Sequence, residues 1–192
     1  MKKIILMLTL LGMTSLATAS RFSYVGNINF MSADYISSTI LELHEDTPIK
    51  EPINLIITSP GGSVLDGFTI INTIRAVQHE GRKIIITVNR LCASMCFAIL
   101  QTADVRLSYA LGLIMQHKAS PSGVVSEVID RQISEMEAAR IGMPVEKWMA
   151  IVASDIWLSP KSALAWNVID GIATPLIDRE EEEDDFNNSE QE

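Results

Sequence analysis

Three short runs of the chain are rich in apolar residues: residues 53–58 (INLIIT), 83–89 (KIIITVN) and 113–116 (LIMQ). A strand wetted on one face alternates polar and apolar side chains, so runs of this kind fit strands covered on both faces. The segments between them have helical spacing. Residues 32–43 place Ile36, Ile40 and Leu43 on one face with Ser32 as the expected cap, and residues 64–78 and 94–101 read as further helices. Residues 22–28 read as another strand, while 124–140, 145–153 and 160–167 form a C-terminal helical region. Strands alternating with helices predict an α/β domain with a largely parallel sheet. Functional residues in such sheets gather where the strands end. Those ends carry Ser59-Pro60-Gly61-Gly62, Cys92-Ala93-Ser94 and His117.

With 192 residues, 47% of them apolar, the chain can bury a genuine single-domain core. Its net charge of −9 is unevenly spread. Residues 178–192 contain nine acids and one base, residues 1–19 carry +2, and the stretch from 20 to 177 is left with only −3. This balance argues against non-specific nucleic-acid binding, which needs basic side chains to displace counterions. The acidic tail has no periodicity and is expected to be disordered.

At the other end, Lys2 and Lys3 precede 13 apolar-rich residues (4–16) and the small-residue exit Ala17-Thr18-Ala19. That run is shorter than the roughly 20 residues a membrane-spanning helix needs. It has the layout of a signal peptide cleaved after Ala19, leaving a domain over residues 20–177. The expectation is export, periplasmic or secreted, into a compartment that permits disulfides and lacks ATP.

Ser94 lies between an expected strand and an expected helix, and His117 follows the next apolar strand. Both therefore belong to one rim of the sheet. A nucleophilic hydroxyl, a base and backbone donors for an oxyanion would constitute an acyl-transfer site, with the N–H groups of Gly62 and Met95 as candidate donors. Taken singly, a serine before a helix is often only a cap and a histidine often only structural.

The segment 56–74 (IITSPGGSVLDGFTIINTI) resembles the Clp protease proteolytic subunit, whose pattern runs strand, S-P-G-G, helix. The resemblance continues through Ala93-Ser94-Met95, Arg106 and Ile114-Met115-Gln116-His117. It ends with Asp155-Ile156-Trp157-Leu158-Ser159-Pro160, Ala163 and a strand at Val168-Ile169-Asp170. It implies the spiral of β-β-α units of the ClpP/crotonase fold. It further implies Ser94 as nucleophile, His117 as general base, Asp155 as the carboxylate orienting the histidine, and Gly62 and Met95 as oxyanion donors. That chemistry takes no metal and no other cofactor. The expected substrate is a peptide or an unfolded protein segment, and the expected assembly a homo-oligomer, with no nucleic-acid partner and, for an exported chain, no ATP-driven unfoldase.

The chain departs from the family pattern in three places. Arg90 replaces a glycine ahead of the nucleophile, Cys92 and Cys96 flank Ser94, and the interval from His117 to Asp155 is short. The Cys-x-Ser-x-Cys arrangement is similar to that of exported Clp-like proteins. An exported chain with two cysteines has one possible internal bridge, the alternative being two buried thiols. Other readings are a non-catalytic binding or assembly protein on this scaffold and a Ser-Lys peptidase using Lys118. Met136, Met143, Met149, Trp148, Trp157 and Trp166 are expected as core or subunit contacts.

Overall fold

In the computed structural model, residues 19–118 and 124–175 are described. The expected signal peptide falls almost entirely outside these residues and the acidic tail wholly so. Strands and helices alternate: β1 (Ser20–Val25), α1 (Phe30–Asp46), β2 (Ile53–Ser59), α2 (Val64–His79), β3 (Ile84–Ala93) and α3 (Met95–Leu100). Then follow β4 (Val105–Tyr109), β5 (Leu113–Gln116), α4 (Val124–Ile141), α5 (Val145–Val152), β6 (Ile156–Leu158), α6 (Pro160–Ala165) and β7 (Gly171–Ala173). The main sheet has the order β1-β2-β3-β4-β7 and is parallel throughout. The expected α/β class and C-terminal helices are the observed ones.

A fork in β3 shapes the rest. Its first half pairs with β4 (Ile85 with Val105, Val88 with Ser108), whereas Leu91, Cys92 and Ala93 pair with Leu113, Ile114 and Met115 of β5. Between the two halves the register with β2 slips, so that residues 89–91 stand opposite the single Thr58. Such a bulge bends a strand and increases its twist, which turns the end of β3 away from β4 and onto β5. Arg90, at the place of the family's glycine, sits in this bulge and donates its N–H to Thr58 Oγ1 (3.4 Å). It has no positive φ, so the position does not need glycine. The branch is completed by β6, antiparallel to β5.

The fully buried side chains include Ile53, Leu55, Ile57, Ile84, Ile86 and Val88 from β2 and β3, and Ile36, Ile40, Ile70 and Ile74 from α1 and α2. These are the apolar runs and helix faces that the sequence marks out. Trp148 of α5 is also fully buried and stacks on Phe97 of α3, with ring centroids 5.6 Å apart. It is therefore core, as expected, whereas Trp157 and Trp166 are exposed in the single chain.

Local boundaries differ from expectation for physical reasons. Helix α1 starts before Ser32: Asn29 caps it by accepting from Ser32 N (3.0 Å), and Ser32 Oγ accepts from Asn29 N (2.8 Å) in return. This reciprocal pair makes Asn29 the cap and Ser32 the third helical residue. Strand β1 stops at Val25, and Ile28 instead forms an isolated bridge with Gly62. The strand expected at residues 168–170 lies at Gly171–Ala173. Val168 and Ile169 are core plugs in the turn after α6, where Val168 N donates to Ala163 O (2.8 Å). Strand β4 gives no clear sequence signal because Arg106, a charged residue, stands in its middle.

That arginine is completely buried, and its charge is met by Asp170. Nε and Nη2 of Arg106 donate to the two carboxylate oxygens (3.0 and 2.6 Å), and its backbone N–H adds a third bond (2.8 Å). Nη1 donates to Gln101 Oε1 at 2.7 Å. Burial alone would raise the Asp170 pKa. The hydrogen bonds from Arg106 and the charges of Arg106 and Arg140 outweigh it and hold the carboxyl below its ordinary value. This pair ties β7 to β4. Asp170→Ala strands a buried guanidinium, so urea unfolding of this variant is expected to show a loss of about 3 kcal/mol, the low end of the range for broken buried pairs because Asp170 is partly exposed.

Candidate active site

The fork brings the ends of three strands together by register alone. Ala93 pairs with Met115, so the next residues, Ser94 and Gln116, are neighbours. Gln116 pairs with Ile156 on the antiparallel strand, so His117 and Asp155 face each other one step further on. The structure thus joins all three residues of the expected triad. His117 Nε2 lies 2.9 Å from Ser94 Oγ, and His117 Nδ1 lies 3.7 Å from Asp155 Oδ1. The first distance is a hydrogen bond; the second is an ion-pair distance, longer than a hydrogen bond. The Asp155 side chain is 63% exposed. Lys118 is exposed beside them and makes no hydrogen bond to Ser94 among the described residues.

Ser94 caps the start of α3 with φ 55° and ψ −123°, and its side chain makes no capping bond to the helix. A positive φ is unfavourable for any residue with a Cβ. Here it is enforced from both sides, since Ser94 N donates to Met115 O (3.1 Å) and Ser94 O accepts from Phe97 N (2.8 Å). Such outliers concentrate at functional sites. Cys92 and Cys96 are joined by a disulfide with a Cα–Cα distance of 5.2 Å, which closes a loop around Ser94. Both cysteines are fully buried.

The Gly61-Gly62 turn leans on this loop. A Cβ on Gly61, at φ 92°, would lie 2.6 Å from Ala93 O and 2.9 Å from Met95 N, so only glycine fits. Gly62 has φ 146°, and a Cβ there would lie 2.1 Å from Ile28 O. Ile28 N donates to Gly61 O and Ser63 N to Ile28 O, which pins the turn. The N–H groups of Gly62 and Met95 make no hydrogen bond with the described residues, leaving two backbone donors beside Ser94.

A pocket of ≈ 150 Å³ opens next to Ser94 and His117. Val64, Ala98, Ile133, Met149 and Val152 give it apolar walls. Met149, expected only as a core or subunit contact, is thus part of the site. Gln116, Asp130, Ser134 and Glu137 add polar groups that the sequence reading missed. The available signal was spacing: 130, 134 and 137 share one face of α4 with Ile133 and Ile141, placing two acids and a serine on the stripe that carries these isoleucines. Glu137 is 1% exposed. It accepts from Gln116 Nε2 and from Trp148 Nε1, the latter at 2.7 Å. Burial pushes its pKa up to about 8; the two hydrogen bonds oppose the rise and the nearby Asp130 adds to it.

A model of the Clp protease family matches residues 11–175. The chain belongs to the Clp protease family. It is 31% identical over 156 residues to the ATP-dependent Clp protease proteolytic subunit 2 of Tropheryma whipplei (strain Twist), covering 74% of this chain and 84% of that protein. It is 29% identical over 154 residues to proteolytic subunit 1 of Prochlorococcus marinus (strain NATL2A), covering 73% and 76%. Among solved structures, a ClpP1 mutant from Listeria monocytogenes shares the fold with a TM-score of 0.73 at 23% identity, covering 81% of this chain and 91% of that one. Membership of the Clp protease family supports a peptidase.

The raised pKa of Glu137 predicts that stability falls in alkali. Its carboxyl binds a proton more tightly when folded than at its ordinary value of 4.5, so the native state holds the extra proton between that pH and about 8. Stability from this group is complete below the ordinary value and is lost as pH rises through the folded one. Thermal melts should therefore show a lower Tm at about pH 8.5 than at about pH 6, and Glu137→Gln should shrink the difference.

Proposed function

We propose that this chain is an exported serine endopeptidase that cleaves peptides or unfolded segments through Ser94, His117 and Asp155, without ATP. The observation that carries the reading is the 2.9 Å contact between His117 Nε2 and the Oγ of a serine held at positive φ. His117 takes the proton of Ser94 as Oγ attacks the scissile carbonyl carbon. The oxyanion then receives the N–H groups of Gly62 and Met95. His117 returns the proton to the departing amine, leaving an acyl-enzyme on Ser94, and water activated by the same histidine releases the acid product.

Asp155 keeps the proton of neutral His117 on Nδ1 and stabilises the imidazolium that forms. Its 3.7 Å contact is longer than a hydrogen bond, and catalytic contacts commonly tighten only in the substrate complex. The same gap favours a second reading, an inactive scaffold of the family. Labelling with a fluorophosphonate separates the two, because only an activated serine reacts. Ser94→Ala should abolish labelling and peptide hydrolysis with the fold intact, and Asp155→Asn should lower kcat by about two to four orders of magnitude. Undiminished hydrolysis by Ser94→Ala would refute the proposal.

Support for export comes from the amino-terminal pattern and from the disulfide, a bond suited to oxidising compartments. An exported peptidase works without an ATP-driven unfoldase, so peptides and unfolded chains should be cleaved in the absence of nucleotide. Degradation of a stably folded protein by the purified chain alone would contradict this. A homo-oligomer is supported by large apolar side chains left open on the single chain, among them Phe30, Met31, Leu65 and Leu111. Because the bridge spans only a short loop, its effect on unfolded-chain entropy is small, and its main effect falls on Ser94. Reduction, or the Cys92→Ser/Cys96→Ser double variant, is expected to lower kcat/KM at least about tenfold while moving Tm by only a few degrees.

A further inference from the structure

His117 is only loosely held by the carboxylate in front of it: its Nδ1 lies 3.7 Å from an Asp155 side chain that is 63% exposed. Behind it runs a chain of buried side-chain bonds that the triad chemistry does not use. The parallel ladder between β3 and β5 ends where Ser94 N donates to Met115 O (3.1 Å), because β3 then turns into α3. This leaves His117 N–H without a backbone acceptor among the described residues. The side chain of the preceding residue takes its place: Gln116 Oε1 accepts from His117 N at 3.1 Å. The Nε2 of the same amide donates to Glu137 Oε1, and Trp148 Nε1 donates to Glu137 Oε2 at 2.7 Å. Gln116, Glu137 and Trp148 are all buried, so water does not compete for these bonds. On the far side of the histidine, Lys118 N donates to Val152 O (2.7 Å), which ties the same turn to α5.

We propose that Gln116 and Glu137 are positioning residues for the general base: Glu137 orients the Gln116 amide, and the amide oxygen fixes the backbone from which the His117 imidazole reaches Ser94. The inference rests on Ser94 and His117 being nucleophile and base. A side-chain amide can sit either way round, and its two neighbours here decide which. Reversed, its NH2 would face the His117 N–H and its oxygen would face Glu137 Oε1, so that donor meets donor and acceptor meets acceptor inside the protein. A carboxyl group keeps acceptor capacity on both oxygens whether or not it carries a proton, so Glu137 imposes the same orientation in either state. Trp148 anchors Glu137 in turn and stacks on Phe97, whose N–H donates to Ser94 O. The chain that starts at the histidine thus ends at the turn that carries the serine. Positioning matters here because a displacement of about 1 Å between reacting groups can cost about a hundredfold in rate.

The test uses Gln116→Met in the purified full chain, which removes both amide bonds at similar volume. Fluorophosphonate labelling gives the fraction of reactive Ser94 and the rate at each site, and an unstructured fluorogenic peptide gives kcat and KM. The variant should label to the same extent as the wild type, with the per-site labelling rate and kcat lowered at least about tenfold and KM within about twofold. Asp170→Ala is the structural control: it lowers stability at the β4–β7 edge and should leave the per-site rate within about twofold of the wild type. Where Gln116→Met does not fold, Glu137→Gln serves, because an amide there offers one acceptor where Gln116 and Trp148 require two, and it should lower kcat several-fold in the same KM-independent way. Hydrogen exchange of the wild-type His117 N–H needs neither variant nor turnover, and it should be at least about a hundredfold slower than that of an open amide. A per-site rate unchanged in Gln116→Met, equal per-site losses in Asp170→Ala, or an unprotected His117 N–H overturns the positioning role and leaves the proposed activity standing. An unreactive Ser94 and no hydrolysis by the wild-type protein overturn both.

Discussion

Everything at the candidate site follows from β3 being shared by two neighbours. Had β3 run its whole length beside β4, its end would have met the turn after Tyr109, and Ser94 would have faced no histidine. The bulge opposite Thr58 transfers the strand to β5, and from there two registers, one parallel and one antiparallel, align Ser94, His117 and Asp155. No long-range electrostatic attraction is needed to assemble them. Backbone ladders place the residues, and the side chains need only turn toward one another.

The ladders leave one unfavourable element, the positive φ of Ser94. Conformations of this kind cost about 1–3 kcal/mol and persist only where the surroundings over-determine them. Here three independent restraints converge: the bond from Ser94 N to Met115 O, the bond from Phe97 N to Ser94 O, and the disulfide joining residues on either side. Gly61 supplies the remaining condition by withholding a Cβ from the space next to Ala93 and Met95. A buried network further out, centred on Arg106 and Asp170, secures the β4–β7 edge of the same sheet. The second buried carboxyl system, Glu137 with Gln116 and Trp148, links α4, α5 and the end of β5 directly behind the site.

Much of this was legible in residue order. Apolar runs marked β2, β3 and β5 because strands buried on both faces lose their alternation, and the spacing of Ile36 and Ile40 marked a helix face. Ser94, His117, Gly62 and the cysteine pair stood out because strand ends and small residues limit where such chemistry can sit. Other features were hidden. Strand β4 was obscured by Arg106, whose charge is tolerable only because a partner 64 residues away meets it. Asn29 is not legible as a cap because the reciprocal bond that defines it requires knowing where the helix starts. Glu137 looked like one more polar residue on an amphipathic helix until the fold buried it.

The sequence by itself determined most of the elements, their order and the family, since periodicity, turn residues and short motifs are local properties of the chain. Tertiary structure alone decided the fork of β3, the φ of Ser94, the distances of 2.9 and 3.7 Å within the triad, and the acidic lining of the pocket. The reason is that register and burial depend on which distant segments meet, and a carboxyl group takes its proton affinity and its possible ligands from what surrounds it rather than from its neighbours in the chain.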